Sequence, residues 1–227
     1  MKNKKLLVIL SLVLVVLLSS CGKSNSSLEQ MEAPKAGEEI AIIETDFGTI
    51  KLRLFPDIAP KAVENFKSLS KEGYFNGKTF YRVKKGELIM AVDGEEEDYS
   101  PSIYGKPFED EFNENYGHFR GTVSMANRGP DTNESTFFIV NGSSVDEGII
   151  DAMKDLGEDE GFSSELIDTY ENIGGYYEFD FKHTVFGQVF EGLDIVEKLV
   201  NVELNYMDEP EEEIVIEKIE IVTFEGE

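Results

Sequence analysis

The sequence predicts a mainly β protein, a closed barrel capped by two helices, and three observations carry that prediction. Short runs of alternating apolar and polar residues recur along residues 40–221. Within that frame only the stretches after Pro60 and after Gly192 carry the apolar spacing of core helices. One block, residues 141–177, breaks the β pattern and reads as an inserted helical hairpin. Many strands and two core helices suggest a closed barrel capped by helices.

Each element has its own signal. Ile40–Ile43, the turn residues Asp46-Phe47-Gly48, and the alternation Ile50, Leu52, Leu54 against Lys51 and Arg53 predict a hairpin with one buried face. Pro60 suits a first helical turn, Val63, Phe66 and Leu69 follow at helical spacing, and Gly73 is a fitting stop. Strands are expected at 79–83, 87–92, 122–125, 136–140 and 184–190, then a helix over 193–200. Ile214, Ile216, Ile219 and Ile221 predict a last strand with a register irregularity between 216 and 219. In the 141–177 block, one helix face is expected from Val145, Ile149, Ala152, Met153 and Leu156. A second is expected from Phe162, Leu166, Tyr170 and Ile173, closed by Gly174-Gly175.

The N-terminus reads as an address. Lys2, Lys4 and Lys5 precede the apolar run Leu6–Leu18, which is shorter than the roughly 20 residues of a membrane span. Leu18-Ser19-Ser20-Cys21-Gly22 resembles a bacterial lipobox. The resemblance implies a signal peptide over 1–20, lipidation of the Cys21 sulfur and a domain held at the extracytoplasmic face of the cell membrane. An uncleaved N-terminal anchor is the alternative. Residues 21–37 carry no apolar periodicity and read as a tether to a domain over 38–227.

Composition excludes several chemistries. The chain of 227 residues carries a formal charge of −25, which repels phosphate backbones and anionic lipid, and also serves solubility. Its single cysteine permits no internal disulfide. Two histidines and no His-x-x-x-His spacing make no metal site; the acidic run 93–98 lacks a calcium-loop pattern and reads as a solvated loop, with weak calcium binding as the alternative. No cofactor is expected, and the domain is expected to be a monomer.

Four segments carry a family resemblance. Phe80-Tyr81-Arg82-Val83, Ser102–Glu111, Ser124-Met125-Ala126-Asn127-Arg128-Gly129-Pro130 running on to Phe137-Phe138-Ile139, and Lys182–Val189 resemble the cyclophilin-type peptidyl-prolyl cis-trans isomerases. Order and spacing agree over residues 40–222 apart from 141–177, an insertion of the kind seen in cyclophilin-like lipoproteins of Gram-positive bacteria. The resemblance implies an eight-stranded antiparallel barrel with two capping helices. It implies isomerisation of X-Pro bonds in secreted proteins, with Arg82 catalytic. Phe80, Leu88, Met90, Ala126, Asn127, Thr136, Phe138, Phe179 and His183 are the implied substrate-binding positions.

Several departures fall inside that implied site. Glu87 stands where the family has an aromatic residue, Met90 and Thr136 where it has glutamines, Ala91 and Val92 where it has glycines, and Glu178 where it often has tryptophan. Glu87 is also placed to pair with Arg82 and blunt its donation. The rival expectation is therefore a catalytically weak peptide-binding module, or a lipoprotein whose 141–177 hairpin docks a partner.

Overall fold

The fold is a computed structural model, and it describes residues 28–92 and 102–226. The expected signal peptide, Cys21 and the acidic run 93–98 lie outside the described residues. Among the described residues no helix is long and apolar enough to cross a membrane.

Eight strands run β1 (Glu39–Thr45), β2 (Gly48–Leu54), β3 (Phe80–Lys84), β4 (Leu88–Ala91), β5 (Thr122–Met125), β6 (Phe137–Val140), β7 (Val185–Glu191) and β8 (Ile216–Thr223). They form one antiparallel sheet in the order β3-β4-β6-β5-β7-β2-β1-β8. The edge strands β3 and β8 share no ladder. They meet at the bridge Thr79↔Val215, flanked by Phe80 N–H donating to the Ile214 carbonyl at 2.9 Å. The expected closed barrel is thus found as a half-barrel with a bridged seam. β3's open edge is not left bare, since Val83 N–H donates to the Asp208 carbonyl at 2.9 Å.

Among the described residues four α-helices accompany the sheet: α1 (Pro60–Lys71), α2 (Glu147–Leu156), α3 (Ser164–Ile173) and α4 (Leu193–Leu199). α1 begins with Pro60 at its first turn, but Ala59 cannot cap it. The Glu111 carboxylate does so from afar, accepting from Lys61 N–H at 3.1 Å and Ala62 N–H at 3.0 Å. Its face of Ala62, Val63, Phe66 and Leu69 then packs into the main core with α4's Val196 and Leu199. In the last strand, Glu217 is the unpaired residue where the β1–β8 register slips, as the apolar spacing predicted.

Two expectations need correction here. Asp146 caps α2 by accepting from Gly148 N–H, which leaves Val145 outside the helix. Ile150 and Met153 are then the buried residues, with Ala152 and Leu156 exposed; Ile173 is likewise exposed at the end of α3. Residues 28–37 are not a free tether. Leu28 packs with Phe119, Ile150 and Tyr170, and Gln30 is fully buried. The Gln30 amide donates to the Gly117 carbonyl (2.8 Å) and to Thr122 Oγ1 (2.9 Å) and accepts from Gly117 N–H (2.9 Å). A strap held by one buried leucine, the Gln30 amide and the Arg53 guanidinium on the Glu29 carbonyl leaves no apolar period to read.

Candidate functional site

Strand register builds the site. Arg82 on β3 lies opposite Met90 on β4, Met90 opposite Phe138 on β6, and Phe138 opposite Ser124 on β5. Directly opposed residues share a face, so these four form a row across the outer face. Leu88 pairs with Val140 one step along. The inner face of the same strands carries Val83, Ile89, Ile139 and Val123, all in the main core.

Phe80 is the exception among the expected site residues. Two β3 residues, Phe80 and Arg82, span one step of β4, so Tyr81 is a bulge. The bulge breaks the usual alternation and turns Phe80 inward. It is fully buried in the core, with its ring 6.3 Å from Phe137. Phe80 therefore supports the sheet beneath the site and is not a lining residue.

Leu88, Met90, Ala126, Phe138 and Phe179 share one apolar cluster, with Val140 and Tyr176. His183 joins it through ring contacts of 5.2 Å to both Phe138 and Phe179. Phe179 comes from a short turn, Tyr177–Phe179, and Tyr176 stacks on it at 4.6 Å. That turn is held over the sheet by Gly175, whose backbone at φ +151 bridges Phe119 and Ser143. A Cβ there would stand 2.3 Å from the His118 carbonyl oxygen, so only glycine lets the segment approach.

The polar groups are fixed from behind. Asn127 donates to the Lys182 carbonyl at 2.8 Å, tying the loop after β5 to the His183 turn. Ala126 N–H donates to the Thr136 carbonyl at 2.9 Å, and the Thr136 hydroxyl donates to the Val92 carbonyl at 3.1 Å. Val92 holds φ 68, an unusual backbone for a β-branched residue, at one of the positions where glycine was expected. His183 Nδ1 lies 3.1 Å from the Met125 carbonyl, which can only accept, so Nδ1 carries the proton and Nε2 is left as acceptor. Burial above all, with the neighbouring His118 second, lowers the His183 pKa from 6.5.

Arg82 is exposed and makes no ion pair among the described residues. The expected pairing with Glu87 does not form. Glu87 instead binds Lys84 at 2.5 Å and accepts from the Tyr176 hydroxyl. Its carboxylate thus closes one rim of the cluster and, among the described residues, leaves the guanidinium without an ion pair. The Met90 side chain has no N–H to donate, and its sulfur accepts from the Tyr81 hydroxyl at 2.8 Å.

Sequence reasoning missed two supports. Asp110 accepts from Asn133 at 2.8 Å and from Asp131 N–H at 2.9 Å, and so organises the loop that presents Ala126 and Asn127. His118 is fully buried, stacks on Phe138 with ring planes 14° apart, and meets Asp180 through Nδ1 at 2.7 Å. Tyr170 donates to the other Asp180 oxygen at 2.7 Å. Burial first, then the Asp180 charge, raises the Tyr170 pKa well above its usual value. Among the described residues no cluster of three or more metal-ligating side chains occurs.

The comparisons agree with this geometry. The family described as "Cyclophilin type peptidyl-prolyl cis-trans isomerase/CLD" matches residues 40–221. A Staphylococcus saprophyticus protein named "Putative peptidyl-prolyl cis-trans isomerase" is 40% identical over 85% of this chain and 97% of its own length. A Staphylococcus aureus protein of the same name is 39% identical over 82% of this chain and 92% of its own. The crystal structure of a Cryptosporidium parvum cyclophilin type peptidyl-prolyl cis-trans isomerase superposes with TM-score 0.64 at 27% identity, over 82% of this chain and 98% of that one. The same protein in the presence of the dipeptide Ala-Pro superposes with TM-score 0.64 at 26% identity, over 82% of this chain and 99% of that one.

Proposed function

This chain belongs to the cyclophilin-type peptidyl-prolyl cis-trans isomerase family, and we propose that its outer-face cluster isomerises X-Pro bonds in secreted proteins outside the membrane. Rotation about a peptide bond faces a barrier of about 18–20 kcal/mol from amide resonance. Uncatalysed X-Pro isomerisation takes about 10–100 s. No covalent step is needed; the protein has only to bind the twisted amide better than either planar form. In the twisted state the prolyl nitrogen regains a lone pair. Arg82 donates to it, while Phe138, Phe179, Leu88 and His183 hold the ring in a dry slot. Ala126 and Asn127 align the flanking chain.

The observation that supports this reading is the row Arg82–Met90–Phe138 on one face, with Glu87 occupied by Lys84 and Tyr176. We place the protein at the extracytoplasmic face of the cell membrane as a monomer, with lipid on Cys21 as its anchor. In this reading 141–177 is an insertion in a half-barrel whose β3 and β8 ends meet at the Thr79–Val215 bridge.

Met90 favours one second reading, a peptide-binding module with weak turnover, because a thioether cannot donate to a substrate carbonyl. NMR exchange on proline peptides with the full-length chain in mild detergent separates the two. Accelerated cis-trans exchange at substoichiometric protein supports the isomerase. Saturable binding with exchange unchanged overturns it, and in that case Met90→Gln should raise turnover.

A further inference from the structure

A second cleft adjoins the proline slot and shares His183 with it. Its volume is about 190 Å³, below the roughly 300–1,000 Å³ of small-molecule pockets, so it is sized for one long side chain. Phe112, Phe162, Tyr177, Phe181 and Val185 give it an aromatic and aliphatic wall. Phe112 and Phe181 stand 43% and 57% exposed with their rings 6.2 Å apart, unusual for large apolar side chains with no partner covering them.

Two features fix what fits. The first is charge: Glu111, Glu114 and Asp180 line the cleft, and among the described residues no lysine or arginine does. Glu111 already caps α1, and both Asp180 oxygens are taken by His118 and Tyr170. Glu114 makes no ion pair among the described residues. The second is His118, fully buried and part of the cleft wall. Its Nδ1 faces a carboxylate, so in the neutral ring Nε2 is an acceptor, and that atom is buried with no partner among the described residues. A cleft of acceptors and ring faces suits a cation on an apolar stem.

Continuity fixes where the cation comes from. His183 and His118 line this cleft, and both rings contact Phe138, the floor of the proline slot. The two sites share a wall, so a peptide crossing His183 reaches both. We infer that the cleft is a specificity subsite that takes a lysine or arginine side chain of the same client segment whose proline lies on Phe138. The inference rests on the proline site proposed above.

The test uses full-length chain in mild detergent and short proline peptides with one Lys, Glu or Ala scanned along each side of the proline. At one register the Lys peptide should show a KM roughly five- to ten-fold below the Glu peptide, with kcat alike. Glu114→Lys should abolish or invert that preference and leave the Ala peptide unchanged. No register preferring Lys, or a preference that survives Glu114→Lys, overturns the inference. If no peptide is turned over, the isomerase reading fails, and amide shifts on titrating the Lys peptide decide the cleft separately. Shifts at Phe112 and Phe181 that Glu114→Lys removes support it; their absence overturns it.

Discussion

Phe137 and Phe138 are chain neighbours on β6, both buried, yet they belong to two different regions of the molecule. Phe137 faces inward among Phe66, Phe75, Phe80 and Phe186, a cluster made only of carbon. Phe138 faces outward among His118, Phe179 and His183, where each ring brings a nitrogen or an open edge. The difference teaches that burial alone does not define a role here. The inner face fixes the sheet; the outer face is covered by the 176–183 segment together with His118, and that cover is what makes a slot.

The comparison breaks most visibly in stability. Phe137→Ala should cost about 3–5 kcal/mol in chemical denaturation, because its neighbours cannot collapse into the space. Phe138→Ala should cost less and mainly raise KM for proline peptides. Equal losses for both would erase the distinction between the faces. A smaller effect is expected at the strap. Gln30→Ala leaves the buried Gly117 N–H without a partner, while the Gly117 carbonyl keeps the Thr122 hydroxyl as donor, and should cost about 1–3 kcal/mol. An unchanged midpoint would return residues 28–37 to the status of a tether.

The smallest effect concerns pH. Only the outer face contains histidine. His183 has a lowered pKa, so between that value and 6.5 the unfolded chain binds more protons than the folded one. Its contribution is therefore complete above about 6.5 and declines as pH falls through that window. His183→Gln should flatten this acid limb in denaturation measured at several pH values, and Phe137→Leu should not.

Much of this was legible in the sequence, and the rest was hidden for physical reasons. The Pro60 start of α1 and the slip near Glu217 are local signals, and each is found. β2's Ile50, Leu52 and Leu54 are buried as expected, but Arg53 between them is buried too, bonded to the Glu29 carbonyl and the Glu38 carboxylate. The cluster of Leu88, Met90, Ala126, Phe138, Phe179 and His183 was reachable because their segments resemble a known family. Phe80 went to the wrong face because a bulge at Tyr81 leaves no mark in residue type. β4, β5 and β6 are covered on both faces, so their patterns do not alternate. The His118–Asp180 pair spans 62 residues, and no spacing rule joins residues so far apart. Gln30 is a polar side chain that buries itself by hydrogen bonding, which composition reads as solvent-exposed.

Arg82→Ala decides the matter most directly, read by proline-peptide exchange and by denaturation of the same preparation. The account predicts a fall in kcat/KM of about 10²–10³-fold, the size seen on removing one preorganised donor. It also predicts a stability change within about 0.5 kcal/mol, because an exposed side chain supports no packing. Undiminished exchange in the folded variant would contradict it, and would move the chemistry off the outer face altogether.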